Sequence, residues 1–268
     1  NRTTSDVLGR VYATDADGDS LTFSITVNIA VSDGNGGTTD AYTINPTTGE
    51  ITLTAAGVAA LTNDFETTGN SHQITVAVSD GSAPATTIQV TLTETNVDDN
   101  NPVFTNSGGT AVSSYTFTYA ENRTTSDILG RVYATDADGD SLTFSITANV
   151  AVSDGNGGTT DAYAINPTTG EITLTAAGAA ALTNDFETTG NSHQITVAVS
   201  DGSAPATTVQ VTLTETNVDD NNPVFTNSGG TAVSNYTFTY AENRTTSDVL
   251  GRVYATDADG DSLTFSIT

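Results

Sequence analysis

Residues 96–104 read Asn-Val-Asp-Asp-Asn-Asn-Pro-Val-Phe, and the same nine residues return at 217–225. Five of the first six side chains are Asp or Asn. A proline that restrains the exit follows, and then an aromatic. The second copy follows an alternating run, Thr-Thr-Val-Gln-Val-Thr-Leu-Thr-Glu-Thr (207–216). The first copy precedes another, Tyr115-Thr-Phe-Thr-Tyr119. Apolar residues at i, i+2 and i+4 put one face of a strand in a core and the other in water. The nine residues therefore join the last strand of one β-domain to the first strand of the next. A flexible linker would be rich in Gly and Ser; this one carries two adjacent Asp.

Working outward, the repeat is strict. Asn-Arg-Thr-Thr-Ser-Asp opens at Asn1, Asn122 and Asn243, a period of 121 residues. Residues 1–121 and 122–242 differ at seven positions: Val7/Ile128, Val27/Ala148, Ile29/Val150, Thr43/Ala164, Val58/Ala179, Ile88/Val209 and Ser114/Asn235. That period is too long for a solenoid turn and suits a whole small domain. The expected organisation is a repeat over 1–99 lacking its first strand, a complete repeat over 100–220, and the N-terminal part of a third over 221–268. The linkers are 96–104 and 217–225. The frame suggests a piece of a longer array, in which strand complementation between molecules is conceivable.

The middle repeat reads as about seven strands: 115–119, 128–134, 142–146, 162–165, 171–175, 195–199 and 209–213. A turn, Asn-Pro-Thr-Thr-Gly, separates the fourth from the fifth. Only 176–185 looks briefly helical. The predicted fold class is all-β, tandem immunoglobulin-like Greek-key sandwiches.

Composition narrows the function. The net charge is −26, all six basic residues are arginine, and Cys, Met and Trp are absent. Disulfide staples are excluded. Nucleic acid is disfavoured, because nothing basic faces phosphate. No run approaches the roughly 18 apolar residues of a membrane span, and no signal peptide is visible. A polyanion of this kind invites cations.

The acids sit at turns, in groups. Asp136, Asp138 and Asp140 follow the second strand, Asp185 and Glu187 the helical stretch, Asp201 the sixth strand, and Glu121 ends the first. By strand parity, the Asp136 turn and Asp201 share the pole near the preceding linker. Glu121, Asp185 and Glu187 share the other. Around 96–104 this gathers Asp64, Glu66, Asp98, Asp99, Asp136, Asp138 and Asp201. Two unit charges about 4 Å apart repel by roughly 4 kcal/mol at an effective dielectric of 20. Such a cluster calls for cations, and hard oxygen ligands point to Ca²⁺.

Taken together, these motifs resemble cadherin repeats. The family's linker, Asp-x-Asn-Asp-Asn-x-Pro-x-Phe, is here Asn96-Val97-Asp98-Asp99-Asn100-Asn101-Pro102-Val103-Phe104, and again Asn217-Val218-Asp219-Asp220-Asn221 with its sequel. Its Asp-Arg-Glu resembles Asp64-Phe65-Glu66 and Asp185-Phe186-Glu187. Its Asp-Ala-Asp resembles Asp15-Ala16-Asp17, Asp136-Ala137-Asp138 and Asp257-Ala258-Asp259. Its early Glu resembles Glu121 and Glu242, and its late Asp resembles Asp80 and Asp201. The resemblance spans the chain and implies about three Ca²⁺ per junction. Asp99 and Asp220 would bridge ions, and Val97 and Asn100 would offer backbone carbonyls. The linker's first Asp is Asn96 here and its first Asn is Asp98. One charge moves, and the total holds. The tryptophan anchor of adhesive cadherins is absent. Near-identical, cysteine-free, Thr- and Asp-rich repeats resemble extender regions of large bacterial surface adhesins. An extracellular, cell-surface location follows from that resemblance.

Rival readings are weaker. An EF-hand loop needs Gly at position six and Glu at twelve; from Asp15, Gly18 is fourth and Thr26 twelfth. Asp-Gly-Asn-Gly-Gly-Thr-Thr-Asp (33–40, 154–161) occurs once per repeat, without tandem copies, and reads as a loop. His72 and His193 sit alone before a strand, with no second His or any Cys in the repeat, so neither zinc nor catalysis is expected, and the chain is not read as an enzyme. Arg10 and Arg131 read as surface residues. Asn-Arg-Thr at 1, 122 and 243 and Asn-Tyr-Thr at 235 fit the glycosylation sequon. Two functions remain: a Ca²⁺-stiffened spacer rod in a surface adhesin, or repeats that self-associate or bind surface glycans.

Overall fold

The computed structural model describes residues 2–268 apart from 61–63, 67–68, 83, 182–183, 189 and 204. The Asn1 sequon and part of the 176–185 stretch lie outside the described residues. The chain divides into two compact units, Asn1–Asn100 with Ala137–Asp140, and Asn101–Asp136 with Ser141–Thr268.

The first unit holds β1 (Gly9–Arg10), β2 (Thr22–Val27), β3 (Ala30–Ser32), β4 (Thr38–Asp40), β5 (Tyr42–Ile44), β6 (Glu50–Leu53), helix α1 (Ala55–Val58), β7 (Ser71–Ser79) and β8 (Thr86–Thr93). Its sheets run β1-β6-β5 and β2-β7-β8, with β3-β4 a separate hairpin. Phe23, Tyr42, Ile51, Leu53, Ile74 and Val76 fill the space between.

The second unit continues with β9 (Val103–Thr105), β10 (Ser114–Ala120), β11 (Gly130–Arg131), β12 (Tyr133–Thr135), β13 (Thr143–Ala148), β14 (Ala151–Ser153), β15 (Thr159–Asp161), β16 (Tyr163–Ile165), β17 (Glu171–Leu174), α2 (Ala176–Ala179), β18 (Ser192–Ser200), β19 (Thr207–Thr216), β20 (Val224–Thr226) and β21 (Tyr254–Thr256). A four-stranded sheet, β10-β19-β18-β13, is accompanied by β11-β17-β16 and the β9-β12 pair. Strand β10 runs parallel to β19. Ile172, Val197, Val199, Val211 and Leu213 are all fully buried. The architecture is a tandem of immunoglobulin-like β-sandwiches.

Three expectations need correction. Residues 128–134 are not one strand: β11 pairs with β17 and β12 with β9, because the chain changes sheet partner at Val132. There Val132 N donates to Gly170 O at 3.0 Å and its side chain is fully buried. The stretch 154–161 is half strand: only Asp154–Gly158 turns, closed by Asp154 Oδ1 accepting from Asn156 N and Gly158 N at 2.8 and 2.9 Å. Its remaining residues, Thr159–Asp161, form β15, all exposed and so without apolar alternation. The histidines are buried within β7 and β18 rather than standing before a strand.

A buried polar chain explains them. His193 Nδ1 meets the Tyr163 hydroxyl, which lies 3.0 Å from the Tyr119 hydroxyl, and Tyr119 donates to Glu215 Oε1 at 3.2 Å. Burial pushes the Glu215 carboxyl up to about 7, Tyr163 up to about 12, and His193 down. The fold thus favours protonated Glu215. In the interval from the ordinary value of 4.5 up to about 7 the folded state binds more protons than the unfolded one, so this group lowers stability as pH rises. Glu215→Gln measured in chelator should be more stable than the parent above pH about 7, and the gap should narrow below pH about 4.5 in denaturant titrations.

The two short helices are fixed by caps. Thr175 Oγ1 accepts from Gly178 N at 3.0 Å and donates to Asp161 O at 2.7 Å. A Cβ on Gly178 would lie 2.1 Å from Ala162 O, so the glycine is a packing requirement. Gly178→Ala gains roughly 1 kcal/mol of helix propensity, but overpacking against backbone costs about 1–3 kcal/mol or more. The expected net result is a lower melting temperature by circular dichroism.

Candidate metal centres

The sequence places acids in turns because a strand end is where the backbone has free N–H groups to hold a carboxylate. The structure uses them so. In the first unit, Asp138 Oδ2 accepts from Asn100 N at 2.8 Å and Asp99 N at 3.2 Å. In the second, Asp259 Oδ2 accepts from Asn221 N at 2.8 Å and Asp220 N at 3.2 Å. Glu121, 3% exposed, is held at both oxygens: Oε1 accepts from Val218 N at 2.7 Å and Oε2 from Phe186 N at 2.6 Å. Those last contacts bear out the strand-parity placement of Glu121 beside the 185–187 stretch.

Three groups of carboxylates result. Glu66, Asp99 and Asp138 converge in the first unit, as do Asp98, Asp138 and Asp140. Glu121, Glu187, Asp220 and Asp259 converge in the second. Within each group one oxygen per residue lies within 4.8 Å of the others. At that spacing each pair repels by roughly 3 kcal/mol at an effective dielectric of 20. Glu66 Oε1 and Glu187 Oε1 are buried and accept no hydrogen bond among the described residues.

The strain shows in the proton affinities. Burial, then the neighbouring Asp64 and Asp138, hold Glu66 above the ordinary carboxylate value. Burial, then Glu121 and Asp259, do the same to Glu187. Asp138 and Asp259 resist the same desolvation and stay below it, because linker N–H groups donate to them. The adjacent Asp219 carboxylate, then burial, pushes Asp261 up.

The linker's altered order has a structural reason. Asn96 Nδ2 donates to Asp138 O at 2.8 Å and Asn217 Nδ2 to Asp259 O at 3.0 Å, a contact an aspartate could not make. The displaced charge sits on Asp98, beside Asp140. Asp140 is the group member that sequence reasoning left out of the ligand set; its signal was the third alternate Asp of Asp-Ala-Asp-Gly-Asp.

The other candidates stand elsewhere. Asp15 and Asp17 form the turn after β1, where Asp15 Oδ1 accepts from Asp17 N at 2.9 Å. Asp80 follows β7 and caps Ser82 N at 2.7 Å. Asp136 and Asp201 lie in the second unit, after β12 and β18. Asp64 and Asp185 precede the clustered glutamates, and Glu242 is exposed. Asp257 Oδ1 accepts from Asp259 N at 3.0 Å and shapes that turn.

No family model matches the chain. It is 28% identical to human Protocadherin Fat 1 over 202 residues, 73% of this chain and 4% of that protein. To mouse Protocadherin Fat 4 it is 28% identical over 225 residues, 81% of this chain and 4% of that protein. The chain thus spans a small fraction of the curated relatives it matches. Among solved structures, human CDH23 EC21-23 superposes with a TM-score of 0.61 at 20% identity, covering 96% of this chain and 75% of that one. The fold is cadherin-like. No helix among the described residues is long and apolar enough to cross a membrane.

The side chains in the three groups offer carboxylate oxygen, a set suited to hard divalent cations rather than to zinc or copper. A cation bound there would compete with the protons that burial and the neighbouring carboxylates favour on Glu66 and Glu187. Calcium titrations in two buffers of different ionisation enthalpy should therefore show protons released on binding, and the affinity should fall as the solution is made more acidic. Equal apparent enthalpies in both buffers would count against carboxylate coupling.

Proposed function

We propose that this chain is a calcium-stiffened spacer, an extracellular adhesion-type repeat that holds other domains away from a cell surface. The reading takes 1–99, 100–220 and 221–268 as successive repeats and 96–104 and 217–225 as their junctions. The observation that carries it is the convergence of Glu121, Glu187, Asp220 and Asp259. One residue follows the early strand β10 of a repeat, one comes from its body, one from the linker and one from the turn of the next repeat. Ca²⁺ held there supplies positive charge that ties the linker to both flanking repeats. By the cadherin resemblance, about three ions serve each junction. Near-identity of the repeats favours a spacer, since equal units extend a rod without adding a new recognition surface.

The rod is one property and the binding another, so two measurements test the reading. Calorimetric titration of the 268-residue chain should show several Ca²⁺ ions per molecule. Asp220→Ala should weaken the tightest class by tenfold or more. Small-angle scattering should give a longer maximum dimension in millimolar Ca²⁺ than in chelator. No calcium uptake at millimolar concentration would end the proposal; uptake with unchanged scattering would leave a cation site without the stiffening.

A further inference from the structure

The hairpin of β14 and β15 carries a motif that the metal centres leave unused, Asp-Gly-Asn-Gly-Gly (154–158), with its copy at 33–37. The carboxylate at its start holds the turn at two points. Asp154 Oδ1 accepts from Asn156 N at 2.8 Å and from Gly158 N at 2.9 Å. Asp33 Oδ1 does the same for Asn35 N and Gly37 N, both at 2.8 Å. Gly155 N donates to Ser153 Oγ at 3.2 Å, and Gly34 N to Ser32 Oγ at 3.2 Å. The N–H left over is that of Gly157, and of Gly36 in the copy. Neither donates to any described residue.

Each free N–H follows an exposed asparagine, and Asn35 and Asn156 are the only asparagines of the chain followed by glycine. Their side-chain amides are loosely held. Asn35 Nδ2 reaches Asp33 O only at 3.5 Å, and Asn156 Nδ2 donates to no described residue. Other asparagines of the second unit are tied down: Asn149 Nδ2 donates to Tyr163 O at 2.8 Å, Asn184 Nδ2 to Arg123 O at 3.0 Å and Asn191 Nδ2 to Phe186 O at 2.9 Å. Gly36 and Gly157 sit at φ +89° and +91°, where glycine alone stands without strain. A Cβ built on either would meet nothing within 4 Å, so open space surrounds the N–H.

We infer that Asn35 and Asn156 are modification sites, at which the following glycine nitrogen attacks the side-chain amide and asparagine becomes aspartate or isoaspartate. The Gly157 nitrogen bonds to Asn156 Cγ while the Cγ–Nδ2 bond breaks. The glycine proton passes through solvent to the departing nitrogen, which leaves as ammonia, and a five-membered cyclic imide remains. Water then adds to one imide carbonyl. Opening at Cγ gives aspartate; opening at the main-chain carbonyl gives isoaspartate, with the chain running through Cβ. Either product sets a second carboxylate beside Asp154 and adds one negative charge to the loop. Isoaspartate also inserts a methylene between the two N–H groups that Asp154 holds. The change stays local, because β14 and β15 form a sheet of their own and share no rung with the two main sheets.

The 268-residue chain, kept folded in mildly alkaline buffer and sampled over weeks, provides the test. Chymotryptic peptides 24–42 and 145–163 differ at Val27/Ala148 and Ile29/Val150, so mass spectrometry reads the two loops separately. Both should gain the mass of an NH₂-to-OH exchange, and fragmentation should place it at 35 and 156, with isoaspartate among the products. Asn28 and Asn149, in the same peptides, should stay intact. An exposed turn opens at almost no cost, so the rate should lie within about tenfold of that of the free peptide Ser-Asp-Gly-Asn-Gly-Gly-Thr. Asn156→Gln should abolish the gain in 145–163 and leave that in 24–42. Loops that stay intact, or lag the free peptide by more than that factor while circular dichroism shows the chain folded, would overturn the inference.

Discussion

The parallel pairing of β10 with β19 joins residues about a hundred positions apart in sequence, and both core and site depend on it. A parallel pair has no tight turn to close it, so the rest of the sandwich must fold between its strands. Once made, it covers Val209, Val211 and Leu213, whose burial is worth roughly 1.5–3 kcal/mol each. It also carries Glu121 one residue past the last rung, where its N–H donates to Thr216 O at 3.1 Å and its carboxylate reaches Val218 N and Phe186 N. The most buried acid of the candidate centre is therefore aimed by the sheet.

Charge balance follows from how those acids are held. The chain has no lysine, and Arg131 is engaged elsewhere: its Nε donates to Thr169 O at 2.7 Å, and its guanidinium lies over the Tyr133 ring. Backbone N–H groups therefore position the acids. An N–H donor fixes a carboxylate's direction without cancelling its charge, so the groups keep their full demand for an external cation. The exchange of Asn96 and Asp98 obeys the same rule. An amide is used where a carbonyl must be met, and the charge is kept where other carboxylates already stand.

Legibility tracked physical signal. Strands with one buried and one wet face, such as Tyr115–Tyr119 and Thr143–Ile146, announce themselves by alternation. β15 does not, because all three of its residues are exposed. The break at Val132 is invisible because a strand that changes partner keeps its period. The acids were legible as an ordered set of motifs, whereas Asp140 was not, since the motif ends at Asp138. The His193–Tyr163–Tyr119–Glu215 chain joins four elements, and no local pattern connects residues that meet only when two sheets pack.

Self-similarity has a consequence for assembly. Strands 114–120 and 235–241 are nearly the same, so either fits an edge of the β19 type, and side-chain chemistry alone does not choose between them. Connectivity chooses. A strand tethered to the same unit faces its edge at an effective concentration in the millimolar range or above. It therefore wins over any copy from solution, as β10 does on β19.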